Sequence, residues 1–516
     1  MFYSILFPTK EQHDRQVVND MPSCFVDLNL NQIVDMVLKP KQKFELDNIF
    51  FNPLSDRDVI KYRQDVFRDL ENETLRYALD SFSKNVHGIY RKLHDIRRNL
   101  SSSEPSLNNY YTRGMLFDSI WSYCNEVVLL QETLTSQTVT SKGLHDFSVY
   151  LKEYCSSPSF CDLSMSSKKL HEAFSEINYC LVIKNNTMEI HIDEGYKGIS
   201  DPIVACFEKF RNEDAKDYRQ EISEETLAPH IEVATLQLLA KQYKPLFNEL
   251  EVFCGRYFHF EDRTLALFSR EIQFFLSWLD YTDTVKAKGL PFCYPTFSDR
   301  IDGVYCTSNY DLALSYITKG DIVTNDFSFN SLEQIIVLTG PNQGGKTTYA
   351  RAFGQTHYLA SLGLFVPGKE AKVFMFDKIF THFGKGEDLS DQEGKLKDDL
   401  IRLRKIFDEA TKNSIIIVNE IFNSTIINDA LILGKFMVET LISLGSPALV
   451  ITFLDELAVH SPETVSMMST VLEDDPSTRT FKIVRKPPDG LAFAIHIAQK
   501  YDLTYEQLSR RLKNEV

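Results

Sequence analysis

The sequence predicts an α+β chain of several domains, in which a portion built on long helices precedes an α/β domain with a mostly parallel sheet. Three observations carry this. Apolar residues recur in unbroken steps of three and four through the first half of the chain. After Pro295, short β-branched runs alternate with helical stretches. One of those runs leads directly into a glycine-rich loop and then a helical stretch.

Bulk properties set the frame. A chain of 516 residues exceeds what one core organises, so roughly two to four domains are expected. Apolar content of 43% with 25% charged residues is ordinary for a globular protein. No apolar run approaches the roughly 20 residues of a membrane helix, so no membrane partner is expected. The opening "MFYSILFPTKEQHDRQ" lacks a basic segment and a cleavage site, which predicts a cytoplasmic protein. The nine cysteines are odd in number and scattered from Cys24 to Cys306; Cys155 and Cys161 have no further ligand at metal spacing. Reduced, packing thiols are expected. The net charge of −16 argues against simple coating of nucleic acid. The basic run Arg91 to Leu100 reads as a solvated helix face.

In chain order, residues 1–50 form an amino-terminal segment and 51–295 a helical domain. Its first seam is Leu75, Leu79, Phe82, Val86, Ile89, Leu93 and Ile96; after the loop "SSSEPSLN" a second follows through Leu116, Ile120, Tyr123, Val127, Leu130 and Leu134. A third helical region is broken at Pro245 and at "CGRYFHFED". The one non-helical stretch, Cys180 to Asp201, predicts a small hairpin. Residues 296–516 form the α/β domain, with strands in "QIIVLTG", "SIIIVNE", "SPALVITF" and "RTFKIVRK".

The chemistry is concentrated in that last domain. "QIIVLTGPNQGGKTTYAR" sets Gly340, Gly345, Lys346 and Thr347 at the spacing G-x-x-x-x-G-K-[ST], between a strand and a helix as the motif requires. Glycines let backbone N–H groups curl around phosphates, Lys346 offers a point charge to them, and the Thr347 hydroxyl suits Mg²⁺. Residues 340–348, with Pro341, Asn342, Gln343, Gly344 and Thr348 filling the loop, are the expected ATP contacts. In "SIIIVNEIFNST" a buried strand ends in Asn419 and Glu420, where such sites carry an acidic pair.

The filling of the loop, from Thr339 to Thr348, resembles the TGPN-x-GGKST loop of the MutS family of mismatch-repair ATPases. Four further stretches are similar to family segments: "YLASLGLFVPGKEAKVFMFDKIFTHFGKGEDL", "NEIFNSTIINDALILGKFMVETL", "FKIVRKPPDGLAFAIHIAQKYDLT" and, upstream, "NPLSDRDVIKYRQDVFRDL". The resemblance implies a lever domain of long helices followed by an ABC-type ATPase domain that pairs with a second copy. It further implies ATP and Mg²⁺ as cofactors, Glu420 activating the water, Lys346 holding phosphates, and Thr347 with Asn419 on the metal's side. The implied partner is double-stranded or branched DNA.

Departures from the family pattern modify the expectation. Asn419 stands where the family has Asp, so an acceptor oxygen is kept and a full charge is lost from beside the metal. Phe453 stands at the family's switch histidine and cannot hydrogen-bond a phosphate. The family's "SG.STF" becomes "DQEGKLK", Asp391 to Lys397, without a hydroxyl. The mismatch-reading domain is expected to be missing and the clamp near 180–201 to be absent or reduced. Together these predict ATP binding with slow hydrolysis coupled to DNA binding, mismatch specificity being doubtful. The alternative is an ATP-gated scaffold for a protein, RNA or ribosomal partner with little turnover; an ABC ATPase of another lineage is the third reading.

Overall fold

A computed structural model describes residues 2–14, 20–101, 109–184, 187–192, 229–384, 392–423, 425–472, 478–488, 503–505 and 508–509. The chain forms two compact units: Met1–Phe2 with Asn72–Val139 and Leu144–Arg270, and Tyr3–Glu71 with Thr140–Gly143 and Glu271–Val516.

The first unit is helical. Both predicted seams lie on single long helices, Glu73–Ser101 and Asn109–Ser136, and every seam residue named above is buried. The two helices pack on each other because a 3.6-residue repeat gathers residues spaced three and four apart onto one stripe. The helix Pro229–Gln242 stops just before Pro245, which sits in the first turn of the next helix, Lys244–Arg256. There its missing N–H costs nothing, since that donor has no intrahelical acceptor. The predicted hairpin is present: Tyr179–Lys184 pairs antiparallel with Thr187–Ile192. Residues 193–201 of the predicted stretch lie outside the described residues.

The second unit is built on a six-stranded sheet, whose strands are numbered here in chain order: β1 (Ile335–Thr339), β2 (Ile379–Phe383), β3 (Ile415–Asn419), β4 (Ala448–Ile451), β5 (Thr464–Val471) and β6 (Arg479–Arg485). Their order in space is β2-β3-β4-β1-β5-β6, all parallel except β6, which runs antiparallel to β5. Burial on both faces explains why β1, β3 and β4 read as continuous apolar runs rather than alternating ones. One face of the sheet packs Val337, Ile416, Val418 and Val450 against Met437, Val438 and Leu441 of the helix Ile427–Leu444. A smaller four-stranded sheet lies beside it in the same unit.

Residues near the amino terminus complete this unit. Arg351 and Gln355, on the helix Lys346–Ser361, donate to the carbonyls of Asp27 (3.0 Å) and Leu28 (2.8 Å). The Tyr358 hydroxyl donates to the carbonyl of Phe50 at 2.9 Å. A side chain at Gly354 would meet Leu28 Cδ2 at 2.6 Å and Ile417 Cδ1 at 2.9 Å, so the close approach of three segments requires glycine there. Arg63 is fully buried and ties Leu6 to Leu362, the residue capping the carboxyl end of the same helix, with bonds of 3.2 and 2.9 Å to their carbonyls. A cation there also complements the helix dipole.

Candidate functional site

Strand β1 ends at Thr339 and the chain turns at once through the glycine-rich loop into the helix Lys346–Ser361. The turn needs left-handed backbone: Gly340 has φ +111°, Gln343 +60° and Gly345 +90°. Gly340 and Gly344 are held tightly against β5. A Cβ on them would lie 2.5 and 2.6 Å from the Ser469 hydroxyl. The loop closes on itself through a bond from the Gly344 N–H to the Pro341 carbonyl at 3.3 Å. The helix that follows has no side-chain cap, so the N–H groups of its first turn are donors without a capping side chain.

Lys346 is buried, and its ammonium folds back onto the loop. It donates to the carbonyls of Gly340 (2.8 Å) and Pro341 (3.1 Å) and to Asn342 Oδ1 (3.4 Å). Glu420 Oε1 lies 3.7 Å away. Burial pulls the Lys346 ammonium below its ordinary pKa; Glu420 opposes that shift and the nearby Arg479 adds to it.

Strand β3 brings Asn419 beside Thr347, whose hydroxyl accepts from the Asn419 amide at 3.4 Å, near the upper limit for such a bond. Among the described residues the buried Asn419 Oδ1 has no donor. The next residue, Glu420, adopts φ +52°, an uncommon backbone for a side chain of this kind. Its N–H donates to the carbonyl of Ile451 on β4 at 3.0 Å, which fixes the turn and aims the carboxylate toward the loop. A strained acid at a strand end is a recurrent feature of functional sites.

These groups open onto a cavity of about 420 Å³. Gln343, Gly345, Lys346, Thr347, Thr348 and Glu420 line one side of it. Of the expected contacts, Gly340, Pro341 and Asn342 sit behind Lys346 as its hydrogen-bond partners, and Gly344 packs on Ser469. Other lining residues were not legible in the sequence: Asp311, Leu314, Asp321, Ile322, Val323 and Phe481 come from three separate stretches that share no motif. Asp311 is a pin rather than a free acid. It caps the helix Leu312–Ile317 and accepts from Gln355 Nε2 at 2.9 Å, while burial raises its carboxyl above the ordinary range. Phe453, just past β4, is half exposed. Of the changed signature segment, Asp391 lies outside the described residues. A larger cleft of about 740 Å³, lined by Asp299, Asp302, Asp377, Lys412 and Glu463, contains no residue of the loop and lies toward the amino ends of the strands.

Among the described residues no group of three or more His, Cys, Asp or Glu could hold a metal by itself. A cation at Thr347 would therefore depend on a ligand's own oxygens, as Mg²⁺ with a nucleotide does. The residues present fit that pair: an uncapped helix start, a buried ammonium bonded to its own loop with Glu420 beside it, a hydroxyl, and an amide oxygen without a donor among the described residues.

A parallel sheet that delivers a glycine-rich loop into the start of a helix at its carboxyl edge is the fold of a P-loop domain. Comparison with known proteins specifies which kind. Residues 336–510 match the family model for MutS domain V, an ABC-type ATPase domain. The chain is 24% identical over 532 residues to a DNA mismatch repair protein MutS of Chlamydia muridarum, covering 93% of this chain and 62% of that one. A DNA mismatch repair protein MutS of Chlamydia trachomatis serovar L2b gives 24% over 526 residues with the same coverage. One from an Exiguobacterium species is 30% identical over 198 residues, 38% of this chain and 24% of its own. The chain is thus similar to MutS proteins along most of its length, and it spans about 62% of the length of the chlamydial relatives it matches. Among the described residues no helix is long and apolar enough to cross a membrane.

Proposed function

We propose that the chain binds ATP with Mg²⁺ at the loop 340–348, hydrolyses it slowly, and uses the nucleotide state to control binding to DNA. The observation that carries this is the Lys346 ammonium. It is buried on the wall of a nucleotide-sized cavity and bonded to backbone carbonyls of its own loop, with Glu420 at 3.7 Å. Phosphate oxygens are stronger acceptors for an ammonium than neutral carbonyls. In this reading the loop amides, Lys346 and Thr348 hold phosphates, Thr347 faces the metal with Asn419 behind it, and Glu420 orients the attacking water. Bound Mg²⁺ supplies charge neutralisation of the triphosphate.

Slow turnover follows from Asn419, which offers an oxygen without the charge that would hold the metal's waters firmly. The same feature favours a second reading, in which ATP gates a protein, RNA or ribosomal contact with little hydrolysis. Pairing of two copies through this domain is supported by exposed apolar residues, Ile426 and Ile427 at the start of the helix Ile427–Leu444 and Ile432 and Phe436 further along it.

The test is direct. Lys346→Ala should abolish ATP binding by calorimetry while circular dichroism stays unchanged; undiminished affinity would remove the assignment. Turnover of the intact chain with and without duplex or branched DNA, at several salt concentrations, separates the two readings. A DNA-coupled ATPase is stimulated, and the stimulation falls steeply with salt.

A further inference from the structure

We infer that Ser469 is a positioning residue of the loop 340–348, its hydroxyl held as the donor that takes over a loop carbonyl when Lys346 turns from the loop to phosphate. The part of this that concerns phosphate rests on the reading that the loop binds ATP.

Ser469 lies on β5, where Met468 pairs with Thr339 of β1, so Ser469 runs level with Gly340, the first residue of the loop. It is fully buried, and among the described residues its hydroxyl has no hydrogen-bond partner. Its neighbours on the strand differ: the hydroxyls of Ser466 and Thr470 donate to the carbonyls of Lys486 and Lys482 at 2.7 and 3.0 Å. A buried hydroxyl without a partner costs stability, and alanine would fill the same place without that cost.

What surrounds this hydroxyl is the loop itself. The Ser469 oxygen lies 2.5 Å from the place a Cβ on Gly340 would take and 2.6 Å from that on Gly344, so the two glycines seat the loop directly on it. The Pro341 carbonyl oxygen lies 2.9 Å from the same point at Gly344, on the rim of the same space. The carbonyls of Gly340 and Pro341 are the ones that Lys346 Nζ holds, at 2.8 and 3.1 Å. An ammonium that moves to phosphate oxygens takes a donor away from both. The Gly344 N–H already serves Pro341, at a long 3.3 Å. The Ser469 hydroxyl turns about a single bond and can supply a donor to these carbonyls with little movement of its strand. One side chain thereby serves two states. It makes no bond to the loop while Lys346 braces it, and bonds to the loop once Lys346 is engaged elsewhere. The exchange keeps the loop, and the N–H groups it presents, in one shape while phosphate is held.

Two measurements on the full chain test this. The first needs no nucleotide: urea unfolding of the parent, Ser469→Ala, Lys346→Ala and the double variant, read as a cycle. In the parent background Ser469→Ala should leave the midpoint unchanged or raise it, because no bond is lost. In the Lys346→Ala background, where the carbonyls are already released, the same change should lower it. A midpoint lowered as much or more in the parent background gives Ser469 a packing role and overturns the inference. So does a midpoint lowered in neither. The second measurement is binding of a fluorescent ATP analogue with Mg²⁺. Ser469→Ala should bind about twofold to tenfold more weakly, the range for one neutral hydrogen bond, while Lys346→Ala fails to bind. Parent-like affinity in Ser469→Ala, beside a Lys346→Ala chain that does not bind, overturns the inference and leaves the ATP reading standing. Parent-like binding by Lys346→Ala overturns the ATP reading itself, and the unfolding cycle then still decides whether Ser469 exchanges with Lys346.

Discussion

Asn419→Asp places the family's carboxylate at the end of β3 and separates the cost of a charge from its use. In the free site, Asn419 spends its amide on a long bond to Thr347 and leaves its oxygen without a donor. A carboxylate can take a bond from the Thr347 hydroxyl, which reverses the donor. It then holds a half-buried charge directly before another acid, Glu420. Incomplete solvation of such a group costs about 1–2 kcal/mol. At about 2–4 °C per kcal/mol for a unit of this size, the free variant should melt a few degrees below the parent. With Mg²⁺ and ATP together the sign reverses, because the carboxylate now faces the metal's waters, and the variant should show the larger ligand-induced rise. ATP in EDTA should stabilise the variant less than the parent, since its charge repels phosphate. Differential scanning fluorimetry in buffer, in Mg²⁺, in ATP with EDTA and in Mg²⁺ with ATP reads all of this. Melting shifts equal for the two chains in every condition would refute the placement of Asn419 beside the metal.

Glu420→Gln keeps the shape of the site and removes the base, so turnover should fall by about 10²-fold or more while ATP stays bound; single-turnover hydrolysis at the parent rate would refute its role. Gly344→Ala should weaken nucleotide binding and be partly rescued by Ser469→Gly, which removes the hydroxyl 2.6 Å from the added Cβ. Gly340→Ala should not be rescued, because its φ of +111° strains any side chain whatever stands at position 469. Burial pushes the Glu271 carboxyl up to about 7, against bonds from Ser4 and Ile5 and the charges of His13 and Arg63. A carboxyl raised on folding makes the folded chain hold the extra proton, so this group costs stability progressively as pH rises from about 4.5 to about 7. Glu271→Gln should flatten that part of the stability profile measured by urea unfolding at a series of pH values. An unchanged slope would show that Glu271 is ionised in the fold.

The sequence by itself determined whatever repeats locally. The two seams from Leu75 and Leu116 describe helices because residues three and four apart share a face whatever else the chain does. The loop 340–348 and the run Ile415–Val418 were legible for a related reason, since strand, turn and helix start are contiguous and their residue types are constrained at fixed spacing. Tertiary structure decided what meets them. Arg479 reaches a loop residue 137 positions away, and the carbonyls of Asp27 and Leu28 accept from side chains of the helix behind that loop across more than three hundred. Neither carries a pattern of its own. Their positions follow from strand order, in which β5 lies beside β1 and β6 turns back along β5, and from the burial of Leu28 in the space left open at Gly354. Even Asn419 was legible only as a departure. That its amide nitrogen meets Thr347 while its oxygen lies buried depends on β3 and the P-loop helix being brought side by side, a distance that no spacing along the chain encodes.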